Sequence, residues 1–224
     1  MSPTIYFPII FFVVGYFLGA IPFAVIVAKR FGVDIFKVGS GNPGATNVKR
    51  VCGKKAGNTV FFLDALKGFV AAFLPIVVFG FVAESVEFGN DGARETALAI
   101  SQFCGLAGAV AGHCFSCFLK FKGGKGVSAT IGALLGAMPV AVLLALVVWV
   151  IFYFWSRIVA IASIAFGIFL PCAAFLLIKF APALGYGFVH FWFCCAIMIF
   201  IIVMHHSNIR RLIRGEENSF AKKK

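Results

Sequence analysis

The strongest constraint on this chain is a series of apolar stretches long enough to cross a lipid bilayer. Ile5 to Ala28, Met138 to Trp155 and Gly187 to Met204 contain no Asp, Glu, Lys or Arg. A membrane-spanning helix needs about 20 such residues to cross ~30 Å of hydrocarbon. Because 62% of the residues are hydrophobic and only 12% are charged, the composition excludes a soluble domain.

The fold class that follows is an all-α polytopic membrane protein, and we expect residues 1–224 to form a single domain. No basic segment precedes the first apolar stretch, and no small-residue cleavage site follows it. We therefore expect this stretch to be a membrane span rather than a signal peptide.

The distribution of charge predicts the topology. The formal charge of +12 lies mainly in the segments between apolar stretches, so the positive-inside rule explains it and no nucleic acid partner is expected. Lys29 to Lys55 and Lys120 to Lys125 are basic and are predicted to be cytoplasmic. The loop between them is predicted to lie outside because it is acidic, with Glu84, Glu87, Asp91 and Glu95. The N-terminus is then outside.

The stretch from Val127 to Trp155 is ambiguous, because a single helix there would place the basic C-terminal segment outside. A break near Met138-Pro139 gives two short crossings, and proline favours such a break because it removes a helical hydrogen bond. We therefore expect about seven transmembrane helices, some of them short or half-spanning. The N-terminus is predicted outside and the C-terminus in the cytoplasm.

Three polar segments lie against these stretches on the predicted cytoplasmic side. The first contains Gly39, Ser40, Gly41, Asn42, Gly44, Thr46, Asn47 and Arg50; the second contains Lys122, Gly123, Gly124, Lys125 and Gly126; the third contains His205 and Asn208. Glycines let backbone N–H groups converge on an anion, and Arg and Lys add positive charge. Together the segments indicate a site for phosphorylated substrates.

Simpler interpretations of each segment stay open. Thr46 or Asn47 could cap a helix. Lys122 and Lys125 could be a basic anchor at the membrane surface. His205 and Asn208 lie one helical turn apart and can face one site, but a histidine at a helix end is often an interfacial residue.

Several residues inside the apolar stretches have their own interpretation. Asp64 and Lys67 are three residues apart in the second stretch, which favours a buried salt bridge that fixes the helices over a catalytic role. Ser163 alone is typical of a helix-packing residue. The small residues Gly15, Gly19, Gly105 and Gly108 predict close helix packing.

The cysteines do not form a convincing metal or redox site. Cys114-Phe115-Ser116-Cys117 has the spacing of such a site, but no second ligand pair accompanies it and its flanks are apolar. We therefore expect no metal and no cofactor.

The three polar segments occur in the order typical of the bacterial acylphosphate-dependent glycerol-3-phosphate acyltransferases, the PlsY family, and the chain resembles this family over nearly its whole length. The matching stretches are Leu18 to Phe23, Gly39 to Arg50, Gly53 to Gly57, Leu63 to Gly68, Gly112-His113, Phe118 to Val127, His205 to Gly215 and Glu217. The resemblance implies transfer of a fatty acyl group from acyl phosphate to the 1-hydroxyl of sn-glycerol 3-phosphate. The products are lysophosphatidate and phosphate, in an early step of phospholipid biosynthesis.

The resemblance also implies location, partners and roles. The family lies in the bacterial inner membrane with its active site facing the cytoplasm, and its partners are both substrates, the bilayer and a soluble enzyme that makes acyl phosphate. Catalytic positions match at Ser40, Arg50, Lys125, His205 and Asn208. Binding positions match at Gly39, Gly41, Asn42, Gly44, Thr46, Asn47, Lys122, Gly123, Gly124, Gly126, Ser163 and Glu217.

The chain departs from the family at four positions, each of which concerns the rim of the site. Ala20, Ser116, Ala129 and Ala160 stand where serine, proline, threonine and serine are frequent.

A transporter of an organic phosphate or an anionic lipid is the competing interpretation, because it would use the same basic loops. It requires polar groups along a path through the bilayer. The three segments instead cluster on one predicted face, which favours the enzyme. A membrane scaffold would leave the three segments unexplained.

Overall fold

The computed structural model describes residues 3–82, 86–88 and 91–220. Glu84 of the predicted acidic loop and Lys222 to Lys224 of the basic tail lie outside these ranges. The described residues form α-helices and two short 3-10 turns, with no β-strand among them. The helices are α1 (Pro3–Ala20), α2 (Phe23–Arg30), α3 (Ala45–Cys52), α4 (Lys54–Phe81), α5 (Asp91–Cys114), α6 (Val127–Ala137), α7 (Pro139–Ser156), α8 (Val159–Phe180), α9 (Phe188–Met204) and α10 (His206–Ile213). The 3-10 turns are Cys117–Leu119 and Pro182–Leu184.

The helices confirm a multi-pass membrane protein. Within the described ranges, five helical segments are long and apolar enough to span a membrane, and α9 with α10 gives a sixth if that pair is one span bent by 57°. The first of them, Pro3–Arg30, combines α1 and α2 and is interrupted at Pro22, which has no N–H to continue the helix. The number of seven crossings and the orientation of the termini stay predictions.

The predicted break near Met138-Pro139 is confirmed, because α6 ends at Ala137 and α7 begins at Pro139. Proline is favoured at the first helical position, where its missing N–H would have no partner in the helix. The 11 residues of α6 span only about 16 Å, roughly half of the hydrocarbon thickness. The expectation of a short helix in this region is therefore correct.

The structure divides into two compact units, of which the first is Met1–Ala137. In this unit α1 packs along α5, and α4 packs against α5 and α6. A methyl group added to Gly19 would overlap the carbonyl of Ala109, and one on Gly132 would overlap the carbonyl of Ala65. Helix backbones therefore approach closely in this unit, as the small residues predict.

The second unit, Met138–Lys224, is built from α7 to α10, with α8 packed against both α7 and α9. Phe166, Leu170 and Ile201 are fully buried in its core. The chain after α10 returns to the turn between α7 and α8, where the backbone N–H of Phe220 donates to the Arg157 carbonyl at 2.9 Å. This contact holds the segment that carries Glu217.

Candidate functional site

The first polar segment is a loop between α2 and α3 that is organised around the side chain of Asn47. Asn47 is only 1% exposed. Its Nδ2 donates to the carbonyls of Ile35 at 3.3 Å and Val38 at 3.0 Å, and its Oδ1 accepts the backbone N–H of Ser40 at 2.9 Å. Gly39 has a φ of +62°, and a methyl group there would overlap Asn47 Oδ1. Asn47, predicted as a binding residue, therefore holds the shape of this loop.

The exposed groups of the same segment are suited to an anion. Gly44 is the residue before the first turn of α3, and Thr46 and Arg50 lie one helical turn apart on this helix. Both side chains are partly exposed, and Ser40 is exposed in the preceding loop. Gly41, with a φ of +66°, and Asn42 complete that loop. One segment thus contains the hydroxyl groups of Ser40 and Thr46, the guanidinium group of Arg50 and the N-terminus of α3.

The second polar segment lies against His113, near the end of α5. The backbone N–H of Gly124 donates to the His113 carbonyl at 3.1 Å. A methyl group on Gly123 would overlap that carbonyl, and one on Gly124 would overlap the imidazole ring. Of the two lysines, Lys122 is exposed and Lys125 is partly exposed.

Helix α6 begins immediately after this segment. Gly126 has a φ of +84°, and its carbonyl accepts the backbone N–H of Thr130 at 2.8 Å. The sequence thus places Lys125 beside the N-terminus of α6, and a helix N-terminus favours negative charge.

A buried ionic cluster lies next to the second segment. Lys67 Nζ is 2.8 Å from Asp64 Oδ1, and these side chains are 5% and 2% exposed. This confirms the predicted salt bridge. Lys67 also donates to the Ile21 carbonyl at 2.9 Å, and His113 Nδ1 is 3.5 Å from Asp64 Oδ1. The part played by His113 was missed, because it belongs to a helix distant in sequence.

A small cavity in the first unit connects these parts. It is lined by the interruption between α1 and α2, Pro43 of the first segment, Gly123 and Gly124 of the second segment, and the ionic cluster. The structure therefore brings the first and second polar segments to one cavity.

Two of the four departures from the family meet beside this cavity. Ser116 Oγ donates to the Ala20 carbonyl at 2.6 Å, and both residues are buried. The hydroxyl of Ser116 thus satisfies a carbonyl near the end of α1. Ala129 in α6 and Ala160 in α8 are buried.

The third polar segment lies in the second unit, at the bend between α9 and α10. His205 and Asn208 are 3% and 5% exposed, one helical turn apart. His205 Nδ1 is 2.8 Å from the Ile201 carbonyl. Because a carbonyl can only accept, Nδ1 carries the hydrogen in this contact.

Glu217 holds the other groups of this segment. Its Oε1 accepts Asn208 Nδ2 at 2.8 Å, and its Oε2 accepts Arg211 Nε at 2.7 Å. The Glu217 carboxylate is only 4% exposed. Glu217 therefore fixes the direction of the Asn208 amide.

Ser163 is buried in α8, and its hydroxyl accepts the indole N–H of Trp149 at 3.4 Å. This contact orients Ser163 from the neighbouring helix, and sequence reasoning did not identify Trp149.

All seven cysteines are free, with Cys114 buried and Cys117 exposed. Across the described ranges, no group of three His, Cys, Asp or Glu side chains is placed to hold a metal ion.

The fold and these polar groups define a multi-pass membrane protein with basic, glycine-rich loops suited to a phosphorylated ligand. The family described as "Glycerol-3-phosphate acyltransferase" matches residues 9–215. A glycerol-3-phosphate acyltransferase of Aquifex aeolicus is 39% identical, over 92% of this chain and 95% of that protein. One of Thermosipho melanesiensis is also 39% identical, over 91% of this chain and 88% of that protein.

Two solved structures are also similar, both of PlsY (YgiH), an integral membrane glycerol 3-phosphate acyltransferase. Its glycerol 3-phosphate form has a TM-score of 0.77 and 36% identity, covering 96% of each chain. Its lysophosphatidic acid form has a TM-score of 0.74 and 35% identity, covering 96% of this chain and 95% of that one. The chain belongs to the glycerol-3-phosphate acyltransferase family.

Proposed function

We propose that this protein transfers a fatty acyl group from acyl phosphate to the 1-hydroxyl of sn-glycerol 3-phosphate, and so forms lysophosphatidate and phosphate. The observation that carries the proposal is the family match over residues 9–215. The match includes all three polar segments, and Glu217 lies just beyond it. Relatives named glycerol-3-phosphate acyltransferase, and related structures in a glycerol 3-phosphate form and a lysophosphatidic acid form, support the acceptor and the product. The reaction is an early step of phospholipid biosynthesis.

Acyl phosphate is the donor that the resemblance implies. It is a mixed anhydride, so its carbonyl carbon is already activated, and a covalent enzyme intermediate is not required. Positioning of the two substrates and stabilisation of the departing phosphate can then supply the catalysis. No metal is needed in this scheme.

The departing phosphate is assigned to the first unit. Arg50 offers a guanidinium group that can bind phosphate through two parallel hydrogen bonds. Thr46 shares its side of α3, and Ser40 lies in the preceding loop. Lys125 adds a second positive charge beside the N-terminus of α6. These groups stabilise charge as the bond between acyl carbon and phosphate oxygen breaks.

Glycerol 3-phosphate is assigned to the third segment, in the second unit. Asn208, held by Glu217, offers an amide of fixed direction, and the contact of His205 Nδ1 with the Ile201 carbonyl orients the imidazole ring. Ser163, in the same unit, is assigned as a further contact of this substrate. The phosphate of the substrate itself accepts the hydroxyl proton in this scheme, so His205→Gln is expected to keep a fraction of the activity.

The protein is proposed to lie in the bacterial inner membrane with its polar segments facing the cytoplasm. The basic loops support this orientation. On that side the protein can receive acyl phosphate from a soluble enzyme and glycerol 3-phosphate from the cytoplasm.

Turnover of purified protein in lipid tests these assignments. Lys125→Ala is expected to remove nearly all transfer of palmitoyl from palmitoyl phosphate to glycerol 3-phosphate. Lys179→Ala is the matched control, because it removes an exposed lysine at the end of α8 and should keep full turnover. Full activity in Lys125→Ala would contradict the role of this lysine. Uptake of glycerol 3-phosphate into sealed vesicles without acyl transfer would favour the transporter.

A further inference from the structure

Three ionisable side chains, Asp64, Lys67 and His113, are buried together within membrane-spanning helices of the first unit. Such groups are costly in that position and are usually paired or functional. Asp64 and Lys67 alone would form a salt bridge that fixes α4. His113 Nδ1 also lies 3.5 Å from the same carboxylate oxygen, Asp64 Oδ1. The salt bridge does not require this third ionisable side chain, which points to a further role for His113.

His113 also contacts the second polar segment. The His113 carbonyl accepts the backbone N–H of Gly124 at 3.1 Å, and the His113 ring occupies the space that a side chain at residue 124 would need. A methyl group on Gly123 would overlap the His113 carbonyl. Two consecutive glycines therefore allow the loop to lie directly on this one histidine. The residue that follows them is Lys125.

The imidazole ring of His113 also contacts the salt bridge of α4. Asp64 Oδ1 is 3.5 Å from Nδ1, and Lys67 holds the same oxygen at 2.8 Å. Lys67 in turn donates to the Ile21 carbonyl, at the interruption between α1 and α2. The loop thus rests on His113 of α5, which in turn contacts the Asp64–Lys67 salt bridge of α4.

We propose that His113, held by Asp64 and Lys67, is a positioning residue that sets the place of Lys125 at the departing phosphate. The inference rests on the proposed function, because it takes Lys125 as a phosphate contact. A misplacement of about 1 Å can cost about 100-fold in rate, so a small shift of the loop affects turnover strongly. The effect falls on kcat rather than on KM for glycerol 3-phosphate, whose contacts are assigned to other groups.

A double-mutant cycle between His113→Asn and Lys125→Arg tests this role. Asparagine places an amide near the Nδ1 position that faces Asp64, but it removes the ring beneath Gly124. We expect His113→Asn to lower kcat by about 10- to 100-fold, with KM for glycerol 3-phosphate changed by less than about twofold. In the Lys125→Arg background, where the lysine is already replaced, the further loss should be less than about threefold. His190→Asn, at a half-buried histidine of α9, is the matched control and should keep full turnover.

A second variant keeps the test valid if His113→Asn fails to fold. Gly124→Ala leaves the histidine in place but adds a methyl group that overlaps its ring. Gly124→Ala should lower kcat in the wild-type background and have little further effect with Lys125→Arg. Thermal unfolding in detergent checks that each variant is folded.

Equal losses of kcat in both Lys125 backgrounds would overturn the positioning role, and so would a rise in KM at unchanged kcat. A folded wild-type protein without acyl transfer would instead overturn the proposed function itself. The two failures are therefore distinguishable in one set of assays.

Discussion

Breaking the buried salt bridge between Asp64 and Lys67 is expected to reduce the stability of the protein strongly. Lys67→Met removes the ammonium group while keeping an unbranched side chain of similar length. The Asp64 carboxylate, 2% exposed, then loses its 2.8 Å partner and keeps only His113, while its Oδ2 has no hydrogen-bond partner among the described residues. Removing one member of such a pair costs about 3–5 kcal/mol, because the remaining charge is buried without compensation.

Thermal unfolding in detergent micelles measures this cost. For a chain of this size, 3–5 kcal/mol corresponds to a decrease of roughly 6 to 20 °C in Tm. Asp64→Asn should cost a similar amount because it strands the ammonium group of Lys67. The double variant Asp64→Asn with Lys67→Met should be more stable than either single variant, because no buried charge of the pair is then left without a partner.

The double variant shows whether Asp64 and Lys67 stabilise each other. Losses that add in the double variant would show that the two side chains do not interact, and would refute this reasoning. A Tm unchanged in Lys67→Met would refute it equally. Lys179→Met, at the exposed end of α8, is the matched control and should leave Tm within about 2 °C.

Three further predictions concern packing, the third segment and the cysteines. Gly132→Ala should destabilise the protein by about 1–3 kcal/mol in thermal unfolding, because the added methyl group overlaps a carbonyl of α4. Gly80→Ala is the matched control: its methyl group meets open space, so the variant should be as stable as the wild type or slightly more stable. Glu217→Gln should raise KM for glycerol 3-phosphate about tenfold in steady-state assays, because a hydrogen bond to a charged group that orients Asn208 is weakened; an unchanged KM would contradict this role. Cys117→Ser should leave kcat unchanged, and loss of turnover would revive a redox or metal role for the cysteine pair.

The sequence predicted those features of the fold that depend on local chemistry. Proline at residue 139 predicted the break between α6 and α7, and the glycines of α1 and α5 predicted close packing. The interruption of the first span at Pro22 was missed, because the surrounding stretch is continuously apolar. Hydropathy therefore located the span but not its internal break.

For the candidate site, residue types were predictable but tertiary partners were not. The three-residue spacing of Asp64 and Lys67 predicted their salt bridge, since both lie on one helix. The contact of His113 with this pair depends on the packing of α5 against α4, which no local pattern encodes. Asn47 stays predicted as a binding residue, and its three hydrogen bonds go to backbone groups of the preceding loop. These tertiary partners, which set the shape of the loop, were not predictable from the motif.

The identity of the acyl donor distinguishes the proposed reaction from the alternatives. Purified protein in lipid should be given glycerol 3-phosphate with either palmitoyl phosphate or palmitoyl-CoA, while phosphate and lysophosphatidate are both measured. We predict one phosphate released for each lysophosphatidate formed, with palmitoyl phosphate alone as donor. Lysophosphatidate formed from palmitoyl-CoA, or phosphate released independently of glycerol 3-phosphate, would contradict the proposed reaction.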